Sequence, residues 1–433
     1  MRRPDAVLAA LLLFSITLVA AVIGTSTAAP PLTADRIAQL PRDKQAPWKE
    51  YLESSNRQMA ADRAFLAAEL KRAGLEHTIL PPSGAAARSL PLDRAGEWYA
   101  TPEASRLAEI AISFQTPAGG WSKNLNLADH VRRPGEHFAP NNLSRFPTAG
   151  DFDAPHDPEW TYVGTLDNDA TNTELLFLAK VATAAKGDFA AHSRAAVLRG
   201  LEYLLRAQYP NGGWPQVWPL QGGYHDAITF NDGAMVHTLE VLNDVAAGRA
   251  SFSFAPSDLR KRANAAVKRG IACILSSQIF VNGRRTVWAQ QHDMLTLEPV
   301  AARNYEPVAE SSSESAAVLV LLMSLPDPDK AGMAAIESGI KWLDRTAING
   351  KAYTRTQDGR RLVDAPGGGP IWARFYSIGD DHPIFGDRDR SIHDTVDEIS
   401  AERRNGYSWF TPAPKEALDR YAEWRKTHQP TTH

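Results

Sequence analysis

The sequence has almost no cysteine: Cys273 is the single one in 433 residues. No intramolecular disulfide can form, so the fold must rest on a hydrophobic core, which a chain of this length can build. The neighbours of that cysteine, Ile271, Ala272, Ile274 and Leu275, read as a buried helical stretch. A catalytic thiol is therefore not expected. Charge of one sign is also scarce. Lys and Arg number 47 against 50 Asp and Glu, for a net charge of −3. No global field is present to attract nucleic acid. An anionic ligand would have to be held by local arginines and lysines, or by a bound cation. Long apolar runs are missing too, with one exception.

That exception is Val7–Ile23, preceded by Arg2 and Arg3 and followed by Ser26-Thr27-Ala28-Ala29-Pro30. A basic start, an apolar middle and a small-residue end predict a secretory leader over residues 1–29. The mature protein is then expected outside the cytoplasm, extracellular or periplasmic, with no membrane contact. The alternative is an uncleaved anchor, for which about 17 apolar residues is the lower limit.

The rest divides by pattern. Residues 30–101 read as an N-terminal helical and linker region, with a helix over Met59–Ala73. Residues 102–348 are dominated by segments with apolar positions three and four apart. These are Ala104–Phe114, Asn172–Ala185, Ala195–Ala207, Asp232–Ala247, Pro256–Ser277, Ser313–Leu325 and Ala331–Leu343. Between them lie the Gly-, Pro-, Asn- and Asp-rich loops Pro117–Asp157 and Pro210–Thr229, of a length usually kept for function. Residues 349–412 change to short strand-like pieces. Residues 413–433 carry a last helix, about Pro414–Lys426, and a tail.

A repeat runs through this pattern. Gln115-Thr116-Pro117-Ala118-Gly119-Gly120-Trp121 matches Gln208-Tyr209-Pro210-Asn211-Gly212-Gly213-Trp214, and a weaker copy starts at Gln278 and reaches Trp288. Each closes a helix with a Gly-bearing turn and a Trp. Repeated helical hairpins of this kind predict a mainly α fold: a partial α/α toroid, or incomplete α/α barrel, with a smaller irregular region of short β-strands and coil.

Four constellations could carry chemistry. Asp167-Asn168-Asp169 precedes a helix, where Thr171 or Asn172 could serve as N-cap; the same oxygens could hold a hard cation. Asn231 and Asp232 stand at the equivalent point of the next repeat. His292-Asp293 reads as a loop pair, with metal binding the lesser alternative. Arg303, Arg374 and Arg388 could each fork onto a carboxylate, or sit in structural salt bridges. Cation sites plus isolated arginines suit a polymer of carboxylated sugars. Residue types alone do not rank a lyase above a hydrolase using Asp167 and Asp232, or above a non-catalytic binding protein. A terpenoid cyclase would need Asp-x-Asp-Asp, and the run ends in Ala170.

In order and spacing, these motifs strongly resemble the family ten polysaccharide lyases, the pectate lyases. The resemblance spans about Gly119 to Phe410. It includes Gly119-Gly120-Trp121-Ser122-Lys123-Asn124, Ile228-Thr229-Phe230-Asn231-Asp232, Arg303-Asn304-Tyr305-Glu306, Ser313-Glu314-Ser315, Trp372–Tyr376 and Glu402-Arg403-Arg404-Asn405-Gly406-Tyr407. The resemblance implies a calcium-assisted β-elimination on polygalacturonate or pectin by a monomer. It implies Arg303 as the Brønsted base, with Lys123, Arg374, Arg388 and Tyr305 on the substrate. Asp167, Asn168, Asn231 and Asp232 would form the calcium site. Ala227 departs from the bulkier residue of relatives, which would remove one groove contact.

Overall fold

The computed structural model describes residues 21–428 apart from 146, 147 and 149. Arg2, Arg3 and most of the apolar run lie outside the described residues. Eleven α-helices follow in order among them: α1 Ala34–Ala38, α2 Arg42–Ala73, α3 Pro102–Ser113, α4 Asn172–Ala184, α5 Gly187–Ala207, α6 Ala234–Ala247, α7 Ser257–Ser277, α8 Ser312–Ser324, α9 Lys330–Arg345, α10 Ala401–Gly406 and α11 Pro414–Thr427. None is long and apolar enough to cross a membrane.

Consecutive helices pack as hairpins, α4 on α5, α6 on α7 and α8 on α9. Helices α4, α6 and α8 also touch in sequence, as do α3, α5, α7 and α9. The result is two layers, an inner and an outer, as the helical repeat predicts. Small residues set the spacing between layers. A Cβ added to Gly200, Gly270 or Gly339 of the outer helices would lie 2.5, 2.5 and 2.8 Å from Leu175, Leu239 and Leu319 of the inner ones.

The repeat is a hydrogen-bonded device. The amide of Gln115 donates to the carbonyls of Gly119 and Ala196, both at 2.8 Å. Gln208 donates likewise to Gly212 and Ala266, at 3.0 and 2.9 Å. Gln278 donates to Thr286 and Ala335, at 3.0 and 3.1 Å, so the third copy is real. Each glutamine ties its own turn to the next outer helix. The indole N–H groups of Trp121, Trp214 and Trp288 donate to the carbonyls of Ala111, Leu204 and Ile274 near the preceding helix ends, at 2.6, 2.8 and 2.7 Å. These carbonyls would otherwise be orphaned. A fourth indole, Trp372, closes α9 through Leu343 at 2.7 Å. All four rings are fully buried, where truncating a Trp to Ala typically costs about 3–5 kcal/mol. The turn glycines Gly119 and Gly212 are irreplaceable for a simple reason. They sit at φ of 110° and 96°, and a Cβ would meet the carbonyl oxygens of Arg199 and Arg269 at 2.4 and 2.2 Å.

Short strands stitch the loops together at one end. Phe375–Tyr376 pairs with Glu310–Ser311, Phe410–Thr411 with Trp372–Ala373, and Ile228–Thr229 with Gln291–His292. Val22–Thr25 pairs antiparallel with Ser391–His393, which pairs with Phe385–Gly386. The expected leader boundary at Ala29 thus falls inside packed chain. Ala29 is buried against Tyr224 and Ala302.

Candidate active site

Each inner helix is entered by the same route. The carbonyls of Trp121, Trp214 and Trp288 accept from the backbone N–H of Thr165, Thr229 and Ser311, at 2.8, 3.0 and 2.8 Å. Two residues further on stand Asp167, Asn231 and Ser313, and three further on stand Asn168, Asp232 and Glu314. The repeat therefore delivers polar side chains from three loops to one end of the toroid. Asn168 and Asp232 take left-handed backbone, at φ of 53° and 50°, which Asn and Asp tolerate better than most residues. Helix capping does not explain the first cluster. Thr171 accepts no cap bond from α4. Its hydroxyl instead donates to the Thr165 carbonyl at 2.8 Å and accepts from the Trp121 N–H at 3.0 Å. Asn172 bonds Thr238 on the next inner helix at 3.2 Å.

Asp167 is buried. Lys123 donates to one of its oxygens at 2.5 Å and Gln216 to the other at 3.1 Å. Burial by itself raises the Asp167 pKa, but Lys123 and then Arg303 outweigh it, so the carboxyl stays below its usual range and ionised. The Lys123 ammonium lies 3.4 Å from the centre of the Tyr162 ring, a cation–π contact. Asp232 is exposed at the groove surface. Partial desolvation and the adjacent Asp167 push its carboxyl up to about 7.

Arg374 donates to Glu314 at 2.6 Å and to Asn231 at 2.8 Å, and lies 4.9 Å over the Tyr407 ring. Its remaining Nε–H is buried with no protein partner. Tyr407 continues the network by donating to Glu306 at 2.8 Å. Glu306 also accepts from the backbone N–H of Arg303 at 3.0 Å and lies 3.4 Å from its guanidinium. Asp153 flanks the other side of Arg303 at 3.6 Å and accepts from Tyr224 and Tyr162, at 2.5 and 3.2 Å. Burial alone would lower the Arg303 pKa. Glu306 and the surrounding phenols reverse this and hold it well above the ordinary arginine value.

The backbone N–H of Arg388 donates to its neighbour Asp387 at 2.7 Å, and its guanidinium turns elsewhere. It forks onto Glu402, at 2.7 and 3.1 Å. Arg388 and Arg403 both pack on Tyr305, at 5.5 and 4.4 Å from its ring centre. Through Arg403 and then Arg388 the Glu402 carboxyl is lowered to about 2.

Lys123, Asp167, Asn231, Asp232, Arg303 and Arg374 thus meet in one connected network, with Arg388 and Tyr305 beside it. Asp153, Tyr162 and Tyr224 belong to it as well. The long loop Pro117–Asp157 is the only sequence signal for Asp153, since nothing marks one aspartate among several there. His292 and Asp293 stand apart. The ring of His292 bonds the Leu297 carbonyl and Ala289 N–H, and Asp293 pairs with Arg36 at 2.5 Å. Ala227 is buried.

Among the described residues, no three His, Cys, Asp or Glu side chains form a ready-made metal cage. The Asp167–Asp232 pair still fits a hard cation. Two adjacent carboxyls, one of them driven toward neutrality by desolvation and then by the other, are what a divalent ion compensates. The exposed Asn168 neighbours Asp167. The Asn231 oxygen accepts one bond, from Arg374, and keeps a second lone pair.

The sequence model for the pectic acid lyases matches residues 115–418. Two solved structures are similar over most of the chain. One is a family 10 polysaccharide lyase variant from Cellvibrio cellulosa in complex with trigalacturonic acid, at 31% identity and a TM-score of 0.64, covering 78% of this chain and 98% of its own. The other is family 10 polysaccharide lyase from the same organism, at 32% identity and a TM-score of 0.64, covering 78% of this chain and 96% of its own. No curated protein matches. A family match from the first Gln turn to the last helix, on a toroid whose repeated loops assemble the family's motifs, makes this chain a member of the pectic acid lyase family and an enzyme of the pectate lyase class.

Proposed function

We propose that the enzyme cleaves α-1,4-linked polygalacturonate by calcium-assisted β-elimination, with Arg303 taking the proton. The observation that carries this is the convergence of Lys123, Arg303 and Arg374 with the Asp167–Asp232 pair in one network. The trigalacturonic acid bound by the Cellvibrio cellulosa relative supports the substrate class.

The chemistry follows from the substrate. The C5 proton of a galacturonate lies α to the C6 carboxylate. Its removal puts charge on that carboxylate, and fixed cations there lower the barrier. The electron pair left on C5 becomes the C4–C5 double bond as C4–O4 breaks. The leaving oxygen takes a proton, and water is not consumed. Arg374 and Arg388 offer guanidinium forks to substrate carboxylates, in competition with Glu314 and Glu402. Lys123 and Tyr305 border the same surface. Asp167 and Asp232, with Asn168, would hold the calcium, which supplies charge stabilisation at the substrate carboxylate.

A hydrolase built on the same carboxylates is disfavoured by geometry. Asp167 and Asp232 are in hydrogen-bonding contact, whereas acid and base or nucleophile in glycosidases stand at least about 5 Å apart. The test is ultraviolet monitoring of polygalacturonate. Absorbance from the unsaturated product should rise with added calcium and stop on chelation. Undiminished activity in excess chelator would remove calcium from the scheme.

We also propose export, with the leader ending upstream of Val22. Support comes from the strand pairing of Val22–Thr25 and from the Ser26 N–H, which donates to the Arg390 carbonyl at 2.8 Å. Cleavage after Ala29 would strip that strand from the sheet. The mass of the exported protein should show a chain starting at or before Val22; a start at Pro30 would contradict this.

A further inference from the structure

We infer a second binding site for the acidic polymer, outside the groove and resting on the proposed substrate class. It is an open pocket of about 700 Å³ between the Phe280–Arg285 hairpin, helix α9 and the turn at Gly379–Asp381. Arg284, Arg285, Lys341 and Arg345 line it, and Asp381 is its one acid. Asp381 is already engaged. It accepts from Arg345 at 2.6 Å and from the indole of Trp342 at 2.7 Å. Arg285 is held in place by the carbonyl of Leu275 at 3.2 Å and stacks 4.6 Å from the Phe280 ring. Arg284 and Lys341 are exposed and make no ion pair among the described residues.

A net charge of −3 makes such a cluster a local departure. Four cations from two separate segments line one solvent-filled space whose single acid is already engaged. Guanidinium groups pair with carboxylates, and the exposed ring of Phe280 offers an apolar face for a sugar. Repeating carboxylates on a stiff sugar chain supply both features. The position is apt as well. The hairpin belongs to the loop that carries Arg303, and Gly379–Asp381 lies between Arg374 and Arg388. The pocket shares no lining residue with the Arg303 network.

The experiment compares wild type, Arg284→Ala/Lys341→Ala and a charge-matched control, Lys261→Ala/Lys268→Ala, on the exposed face of α7. Electrophoretic retardation in gels containing polygalacturonate reads binding. Elimination rates on trigalacturonate and on polymer read catalysis. The pocket variant should lose about three- to tenfold in polymer affinity, the scale of two solvent-exposed ion pairs. Its KM for polymer should rise while its kcat/KM for trigalacturonate matches wild type. The control should behave as wild type throughout. Equal retardation of pocket variant and control would overturn the site. Failure of the lyase reading looks different: wild type itself would yield no unsaturated product.

Discussion

Replacing Arg303 with alanine should lower kcat by about 10²–10⁴-fold, the range for loss of a positioned proton acceptor, while the protein stays folded. The harder question is what Arg303 does, because its surroundings hold it protonated. Glu306 is the largest cause of that hold, at 3.4 Å. A guanidinium can accept the C5 proton only in its neutral form. Far below its pKa that fraction grows about tenfold per pH unit, so activity should climb through the alkaline range. Glu306→Gln removes the main anchor of the charge and should shift the whole alkaline limb to lower pH. The amide keeps its oxygen for the Arg303 N–H, and its NH2 can donate to the Tyr407 hydroxyl, so the local fold is kept. If Arg303 works only as a fixed cation, Glu306→Gln will leave the pH profile where it is, and another proton acceptor must be sought. Kinetics across pH on both variants decide between the two.

The second large effect concerns the carboxylate pair. Asp232 is raised from 3.8 to about 7, by partial desolvation and then by Asp167. A raised carboxyl favours the neutral folded form, so the cation-free protein loses stability as pH climbs from about 4 to about 7. A cation needs the ionised form, so its affinity should fall as pH drops below about 7. Calorimetric titration with calcium should show binding weakening by about tenfold per unit below that point. Asp232→Asn should abolish this dependence and weaken binding at every pH. It is the better probe than Asp167, whose removal would leave buried Lys123 unpaired at about 3–5 kcal/mol. Calcium affinity that ignores both pH and Asp232→Asn would move the cation site elsewhere.

What the sequence made legible was what repeats. The Gln and Trp positions recur, and in the fold they make the same bonds in each copy. The same logic brought Asp167 and Asp232 together from helix entries 65 residues apart. Helix α2 shows the opposite case. The expected helix began at Met59, but the helix begins at Arg42. Its buried stripe includes Ser55, Asp62 and Glu69, so half of it carries no hydrophobic signal. Asp62 accepts from Gln58 through one oxygen, and Glu69 from Arg132, a partner 63 residues away. Helix α5 likewise starts at Gly187 and not near Ala195, because its first turns are polar and half exposed. The arginine partners were hidden by distance. Arg374 meets Glu314 and Arg388 meets Glu402, and only the fold reveals which acids those are.

The central claim is elimination at the Arg303 site, and counting chain ends tests it most directly. Polygalacturonate digested by the wild-type enzyme should give one ultraviolet-absorbing unsaturated end for each new reducing end, and Arg303→Ala should give neither. New reducing ends without matching absorbance would mean that water enters the reaction, and the enzyme would then be a hydrolase.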